Sequence, residues 1–294
     1  MINSKKWLLI ISIVLMIVSC SFLSLGNKER KVYFKIWTDK NVYFQYEPIF
    51  AKYILKNETV KDIKIGQYWA ESFSIYNSSG DRFFDCASYS IIPFKLKPGE
   101  KIENKSGWNI ASEYCHRDSI GPKKVGYDFL PDIYNISSEL AYYKSNIIQI
   151  KVVNPEGDEK DAAVLFEKGL YADSVETQIK YYNKLINEFP KSIYVPESLH
   201  LLSIKYQFHR DRNKKPSEDM VRCNVKLLKD YPDINRNYHT SAVNNLSKYF
   251  LITRTKKDEA INFFRHLKSD IRNRSIKKII SEKIEQIQKY KYPY

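Results

Sequence analysis

Four cysteines, five histidines and a scatter of carboxylates are the side chains with which this chain of 294 residues could do chemistry. Their spacing assembles no familiar catalytic or metal-binding constellation. His116, His200, His209, His239 and His266 lack the paired spacing of a metal motif. His200 falls in Leu199-His200-Leu201-Leu202, where a surface or satisfied core role outweighs ligation. Cys115 and His116 are adjacent, and an extended strand would point them to opposite faces, so they cannot form a nucleophile and base. The chain has no glycine-rich phosphate loop, Gly-x-Ser-x-Gly elbow or His-Glu-x-x-His. Asp81, Asp85, Asp128 and Asp132 sit near turns without the spacing that singles out an acid and a base. The expectation is a protein that is not an enzyme and carries no metal or cofactor. A hydrolase whose site is gathered from distant residues is the residual alternative.

The cysteines divide by context. Cys20 closes an N-terminal stretch in which Lys5 and Lys6 precede an apolar run over residues 7–18. At about a dozen residues that run is too short for the ~20 that span a bilayer, and it suits the core of a signal peptide. The residues before the thiol, Ile17-Val18-Ser19-Cys20, resemble the lipobox of bacterial lipoproteins. That resemblance implies cleavage after residue 19, a lipid-modified, palmitate-type Cys20 as the first mature residue, and anchoring in a membrane of the cell envelope. Ser21 after the cysteine resembles outer-membrane sorting in enteric bacteria, so the outer membrane is expected where there are two membranes. Cys86 and Cys115 are a candidate disulfide for an oxidising compartment, closing a loop of about 30 residues worth ~3.5 kcal/mol by chain entropy. Cys223 lies in a helical pattern and reads as a small buried apolar residue.

Composition sets the frame. Hydrophobic residues make up 43%, and with only 9 Gly and 11 Pro the chain is neither a stalk nor disordered. The length after the signal suits two domains. The net charge is +14, with the larger surplus in the second half. For an exported protein nucleic acid is not the expected partner; anionic headgroups, an acidic face or plain solvation are. Basic residues cluster as Lys205, Arg210, Arg212, Lys214, Lys215 and as Arg254, Lys256, Lys257, a candidate basic rim if equivalent inter-helix loops align on one edge.

The elements that must position these residues change character once. Residues 20–30 form a polar tether that reaches at most ~35 Å. Over residues 31–154 the period is two: Val32, Phe34 and Ile36; Ile49, Ala51, Tyr53 and Leu55; Phe73 and Ile75; Ile148, Ile150 and Val152. Turns are marked by Asn57-Glu58-Thr59, Ser79-Gly80-Asp81 and Lys97-Pro98-Gly99-Glu100, the last with Pro and Gly placed for type II. Short strands with regular turns predict an antiparallel β-sandwich. Glu47-Pro48-Ile49, Tyr53-Ile54-Leu55-Lys56-Asn57, Phe73-Ser74-Ile75-Tyr76 and Leu96-Lys97-Pro98-Gly99-Glu100 resemble bacterial immunoglobulin-like domains, in the flavour shared with a proteinase-inhibitor family. The stretch over residues 84–125 departs from that rhythm and reads as a loop excursion.

Over residues 155–294 the period becomes 3.6, and seven helices are predicted from apolar stripes such as Val175, Ile179, Tyr182, Leu185, Ile186 and Phe189. Asp173 with Glu176 reads as a capping box, and Ser217 and Ser275 as N-caps. Lys184-Leu185-Ile186-Asn187-Glu188-Phe189-Pro190 is echoed by Lys226-Leu227-Leu228-Lys229-Asp230-Tyr231-Pro232. The echo is similar to tetratricopeptide repeats, although the period of roughly 40 exceeds their ~34 and the Trp-x-x-Leu-Gly-x-x-Tyr motif is missing. The expected chain is therefore a two-domain α+β protein: signal peptide 1–19, lipidated tether 20–30, sandwich 31–154, helical repeat 155–294. Its expected role is a non-catalytic interaction or scaffold module for an envelope protein or peptide. A protease inhibitor acting through sandwich loops is the alternative.

Overall fold

The computed structural model describes residues 31–65, 72–85, 94–116, 127, 129–140, 143–209, 217–253 and 257–289. Strands come first: Val32–Trp37 (β1), Val42–Phe44 (β2), Phe50–Asn57 (β3), Ile63–Ile65 (β4), Ser72–Tyr76 (β5), Arg82–Asp85 (β6), Phe94–Leu96 (β7) and Lys101–Asn109 (β8). A short helix, Ile110–Glu113 (α1), leads to Tyr114–His116 (β9), Asp132–Leu140 (β10), Tyr143–Lys144 (β11) and Ile148–Val153 (β12). Seven helices follow: Asp158–Tyr171 (α2), Val175–Glu188 (α3), Val195–His209 (α4), Glu218–Asp230 (α5), Arg236–Thr253 (α6), Lys257–Asp270 (α7) and Arg274–Lys289 (α8). The chain is mixed α+β, with its strands before its long helices. No described helix is long and apolar enough to cross a membrane.

The described strands form sheets ordered β1-β3-β8, β2-β12-β10-β5-β6-β9 with β11 on β10, and β4-β7. Alternation drives them. Phe34 and Ile36 are buried while Tyr33 and Lys35 are exposed, and register sets Phe34 against Leu55. In the larger sheet Ile136 faces Ile75, and Tyr134 faces Ile150, all four buried. Phe83, Phe129 and Tyr134 form an aromatic knot with centroids 4.7 to 5.5 Å apart. One pairing is parallel, β2 alongside β12, a departure from a purely antiparallel set; Gln45 extends it by donating to the Val153 carbonyl at 2.9 Å.

Two of the sequence's turn signals are bolted together. Asn57, fully buried, donates through Nδ2 to the carbonyls of Lys61 (2.8 Å) and Leu96 (2.9 Å). Gly99, at φ 81°, donates to the Asn57 carbonyl, and Glu100 closes its turn on Lys97 at 3.0 Å. The segment expected to be a loop excursion instead holds β7, β8, α1 and β9 among its described residues. A bulge explains why period two failed there: the β3–β8 register shifts between Ala51 and Tyr53, and Gly107 has φ 72°. A Cβ at Gly107 would sit 2.9 Å from the Ala51 carbonyl oxygen.

In the helical half, equivalent ends repeat. α3 terminates at Phe189 (φ −126°, ψ 57°) and α5 at Tyr231 (φ −125°, ψ 62°). Tyr231 donates its hydroxyl to the Pro190 carbonyl at 2.8 Å, and Asn273 donates to the Pro232 carbonyl at 3.0 Å, each bond spanning 41 positions. Successive turns are thereby stacked. Capping differs in detail from the expected pattern. Ser174 rather than Asp173 caps α3, accepting from Thr177 N at 3.1 Å; Ser217 caps α5 as expected. Asn273, not Ser275, caps α8, accepting from the Ser275 and Ile276 amides. At α3 and α5 the cap is the residue with extended backbone and a short acceptor directly before the helix.

Candidate functional site

The β1–β2 and β2–β3 connections meet the turns before α4 and α6, and between them lies a groove of about 360 Å³. Its walls come from both halves of the chain. Lys40, Tyr43, Glu47 and Phe50 stand on the strand side; Ile193, Glu197, Ile234 and Tyr238 stand on the helical side. Pro190 and Pro232 end α3 and α5, and the stacked turns that follow them present Ile193 and Ile234 at equivalent places.

Glu197 forms the floor, only 3% exposed. Its Oε1 accepts from the Tyr127 hydroxyl at 2.5 Å, and its Oε2 accepts from the Tyr238 hydroxyl. Asn109 donates to the Tyr127 oxygen at 3.3 Å while its own Oδ1 accepts from Ile49 N. The carboxylate therefore ties a strand-half phenol to a helical-half phenol. Burial, then the negative charge of Glu197, pushes the Tyr127 and Tyr238 phenols well above the usual range, so both serve as donors. Rings complete the junction: Phe50 packs edge-on against Tyr238 at 5.5 Å, Tyr127 against Phe166 at 5.6 Å, and His200 against Tyr238 at 5.3 Å. Tyr194 donates to the Gln45 carbonyl at 2.7 Å, and Asn237 to the Gly107 carbonyl at 2.6 Å.

At the mouth, the Lys40 ammonium lies 2.5 Å from Glu47 Oε1 and 4.9 Å from the centre of the Tyr43 ring. Glu47 is held by the Phe44 amide at 2.9 Å. Burial pushes the Tyr43 phenol up to about 12. A larger hollow of about 510 Å³ lies beside α2, lined by Tyr46, Lys160, Val164 and Glu167, but no buried ionisable group reaches it. Of these two hollows, the junction groove is the one that joins a buried carboxyl group to apolar walls, the usual make-up of a binding site.

The residues singled out by sequence fall elsewhere. Cys20 and Cys86 lie outside the described residues. Cys115 is in β9, paired with Phe84 of β6. Cys223 is a free buried cysteine whose thiol burial pushes up to about 12, as a small apolar residue would sit. Of the candidate rim, Arg210, Arg212, Lys214, Lys215, Arg254 and Lys256 lie outside the described residues. Lys205 is half-buried on α4, and the Lys257 ammonium donates to the Gln288 carbonyl at 2.6 Å. His239 is buried with Nε2 2.9 Å from the Tyr231 carbonyl oxygen, a satisfied core histidine. Among the described residues no group of three His, Cys, Asp or Glu is placed to hold a metal.

Sequence reasoning missed Glu197. The stripe Leu199, Leu202, Tyr206 puts it on the far side of α4, where an isolated helix would show it to water. The first turns of α4 are instead buried all round, from Tyr194 to Leu199. The covering phenol of Tyr127 lies 70 positions away. The available signal was an acid inside an otherwise uncharged helix start, Val195-Pro196-Glu197-Ser198-Leu199.

No family model matches the chain, and no curated protein matches it. Among solved structures, a mutant beta-glucosidase from Listeria innocua in complex with laminaribiose aligns at 11% identity and TM-score 0.22. The alignment covers 42% of this chain and 16% of that one. At that score the likeness carries no argument.

Proposed function

We propose that this is a lipid-anchored, non-catalytic binding protein of the bacterial cell envelope, in which an immunoglobulin-like sandwich and a tetratricopeptide-like array jointly hold an envelope protein or peptide. The anchor is the lipid on Cys20, and nucleic acid is not a partner. The observation that carries the reading is the groove built by the stacked turns against the strand half. Its walls repeat with the helix pairs, as binding surfaces of helical arrays do. The polar groups at its floor are hydrogen-bonded to one another, an arrangement suited to holding rather than transforming a ligand.

A photo-crosslinking residue at Ile234, which lines the groove, tests this in cells. Irradiation should give a discrete adduct, and the same probe at Val60, 70% exposed and outside the groove, should not. Equal labelling at both, or none at Ile234, would overturn the reading. The anchor is tested separately: fatty-acid label should be lost in Cys20→Ala and retained in the parent.

A further inference from the structure

We infer that the junction groove receives a lysine or arginine side chain of the partner, with Glu197 as its counter-ion. This rests on the binding reading above and adds the chemistry of what is bound. Glu197 is almost wholly out of water, yet among the described residues no cation lies within ion-pair distance of it. Two phenols are its only hydrogen-bond partners there. A carboxylate offers about four acceptor positions. Ionising a buried carboxyl group that has no counter-charge is costly, and an incoming cation is the group that stabilises its charged form.

The groove already accommodates one ammonium. Lys40 reaches across its mouth to Glu47 and lies over Tyr43, the carboxylate-plus-ring arrangement that a basic side chain favours. Deeper, Phe50, Ile193, Ile234 and Tyr238 offer apolar walls for the methylene stem of a second long side chain, whose charged end then meets Glu197. A volume of about 360 Å³ has room for it. A neutral or acidic side chain would leave Glu197 uncompensated. The chain's overall +14 does not oppose this at contact, because at physiological ionic strength exposed charges beyond ~8 Å are largely screened.

Fluorescence anisotropy with the full-length mature protein and labelled Gly-Ser peptides carrying one central Arg, Lys, Gln or Glu tests the inference. The Arg or Lys peptide should bind at least about tenfold more tightly than the Gln peptide, and Glu197→Gln should erase that difference. Lys191, exposed at the rim, supplies an independent variant that leaves the core untouched. Lys191→Glu should tighten the basic peptides by about two- to fivefold at low salt, so the test stands even if Glu197→Gln unfolds. Equal binding of all four peptides, no response to Lys191→Glu, or binding of spermidine without the peptides would overturn it. If the Ile234 adduct persists while the peptides bind equally, the binding reading stands and only the counter-ion inference falls. Loss of the adduct instead removes the binding reading itself.

Discussion

Tyr127, Tyr182, Tyr194 and Tyr238 are phenols held out of water. Burial, followed by carboxylate charge from Glu197 or, for Tyr194, Glu159, pushes all four far above the ordinary value of 10.0. The unfolded chain releases these protons near pH 10 and the folded chain does not. Stability from them is therefore complete below pH 10 and falls as pH rises beyond it, the Tyr43 share being lost between 10 and about 12. Phenolate absorbance and far-ultraviolet dichroism should show a shared alkaline step. Full ionisation with the helices intact would contradict the buried network. His239 acts on the acid side. Burial lowers it from 6.5, so its contribution is present above that pH and declines as pH falls. His239→Gln should flatten the acid limb of a stability profile while keeping a donor for the Tyr231 carbonyl. In the sequence His239 stood out only as lacking the spacing of a metal motif, and its burial against the Tyr231 carbonyl is set by the fold. Glu197 was illegible because its environment is completed by another part of the chain.

Elements whose pattern depends only on their own residues were readable. β1, β3, β5 and β12 follow the period-two runs, and the seven long helices follow the apolar stripes. β8 was not, since a bulge at Gly107 offsets its alternation. The two aromatic-Pro helix ends were legible, yet the bond that joins them, the Tyr231 phenol onto the Pro190 carbonyl, has no linear signature. Tyr231→Phe keeps the ring and deletes that bond, so it should cost about 1 kcal/mol in denaturant melts. Phe189 is half-buried rather than buried. Phe189→Ala should accordingly cost about 1.5–2.5 kcal/mol, below the ~3–5 of a full core site. Gly169 is the tighter constraint. A Cβ there would lie 2.5 Å from the ring of buried Tyr182, so Gly169→Ala should destabilise by about 1–3 kcal/mol despite its better helix propensity. A Gly169→Ala protein that melts like the parent would show that α2 and α3 do not meet this closely.

At the scale of the whole molecule, the change of period after residue 154 shows where strands give way to helices but says nothing of how the halves meet. They meet through polar bonds, buried between Tyr127 and Glu197 and partly buried from Tyr194 to the Gln45 carbonyl and from Asn237 to the Gly107 carbonyl. The buried groups would have to rehydrate if the halves parted, and the Phe50–Tyr238 and Tyr127–Phe166 contacts would be lost with them. Such a junction couples the halves, so the intact chain should melt in one transition with strand and helix signals coincident. The apolar stripes of the fragment 155–294 all lie within it, which predicts that it stays helical when isolated. Without the strand half, however, Glu197 and Tyr238 lose their cover, and the fragment should melt earlier than the same helices do in the whole chain. Glu197→Gln in the intact protein should reproduce part of that loss, about 1.5–3 kcal/mol, because an amide cannot accept from both phenols as the carboxylate does. A fragment as stable as the whole chain, with Glu197→Gln silent in the melt, would mean that the junction holds nothing together and that the groove between the halves is not preformed.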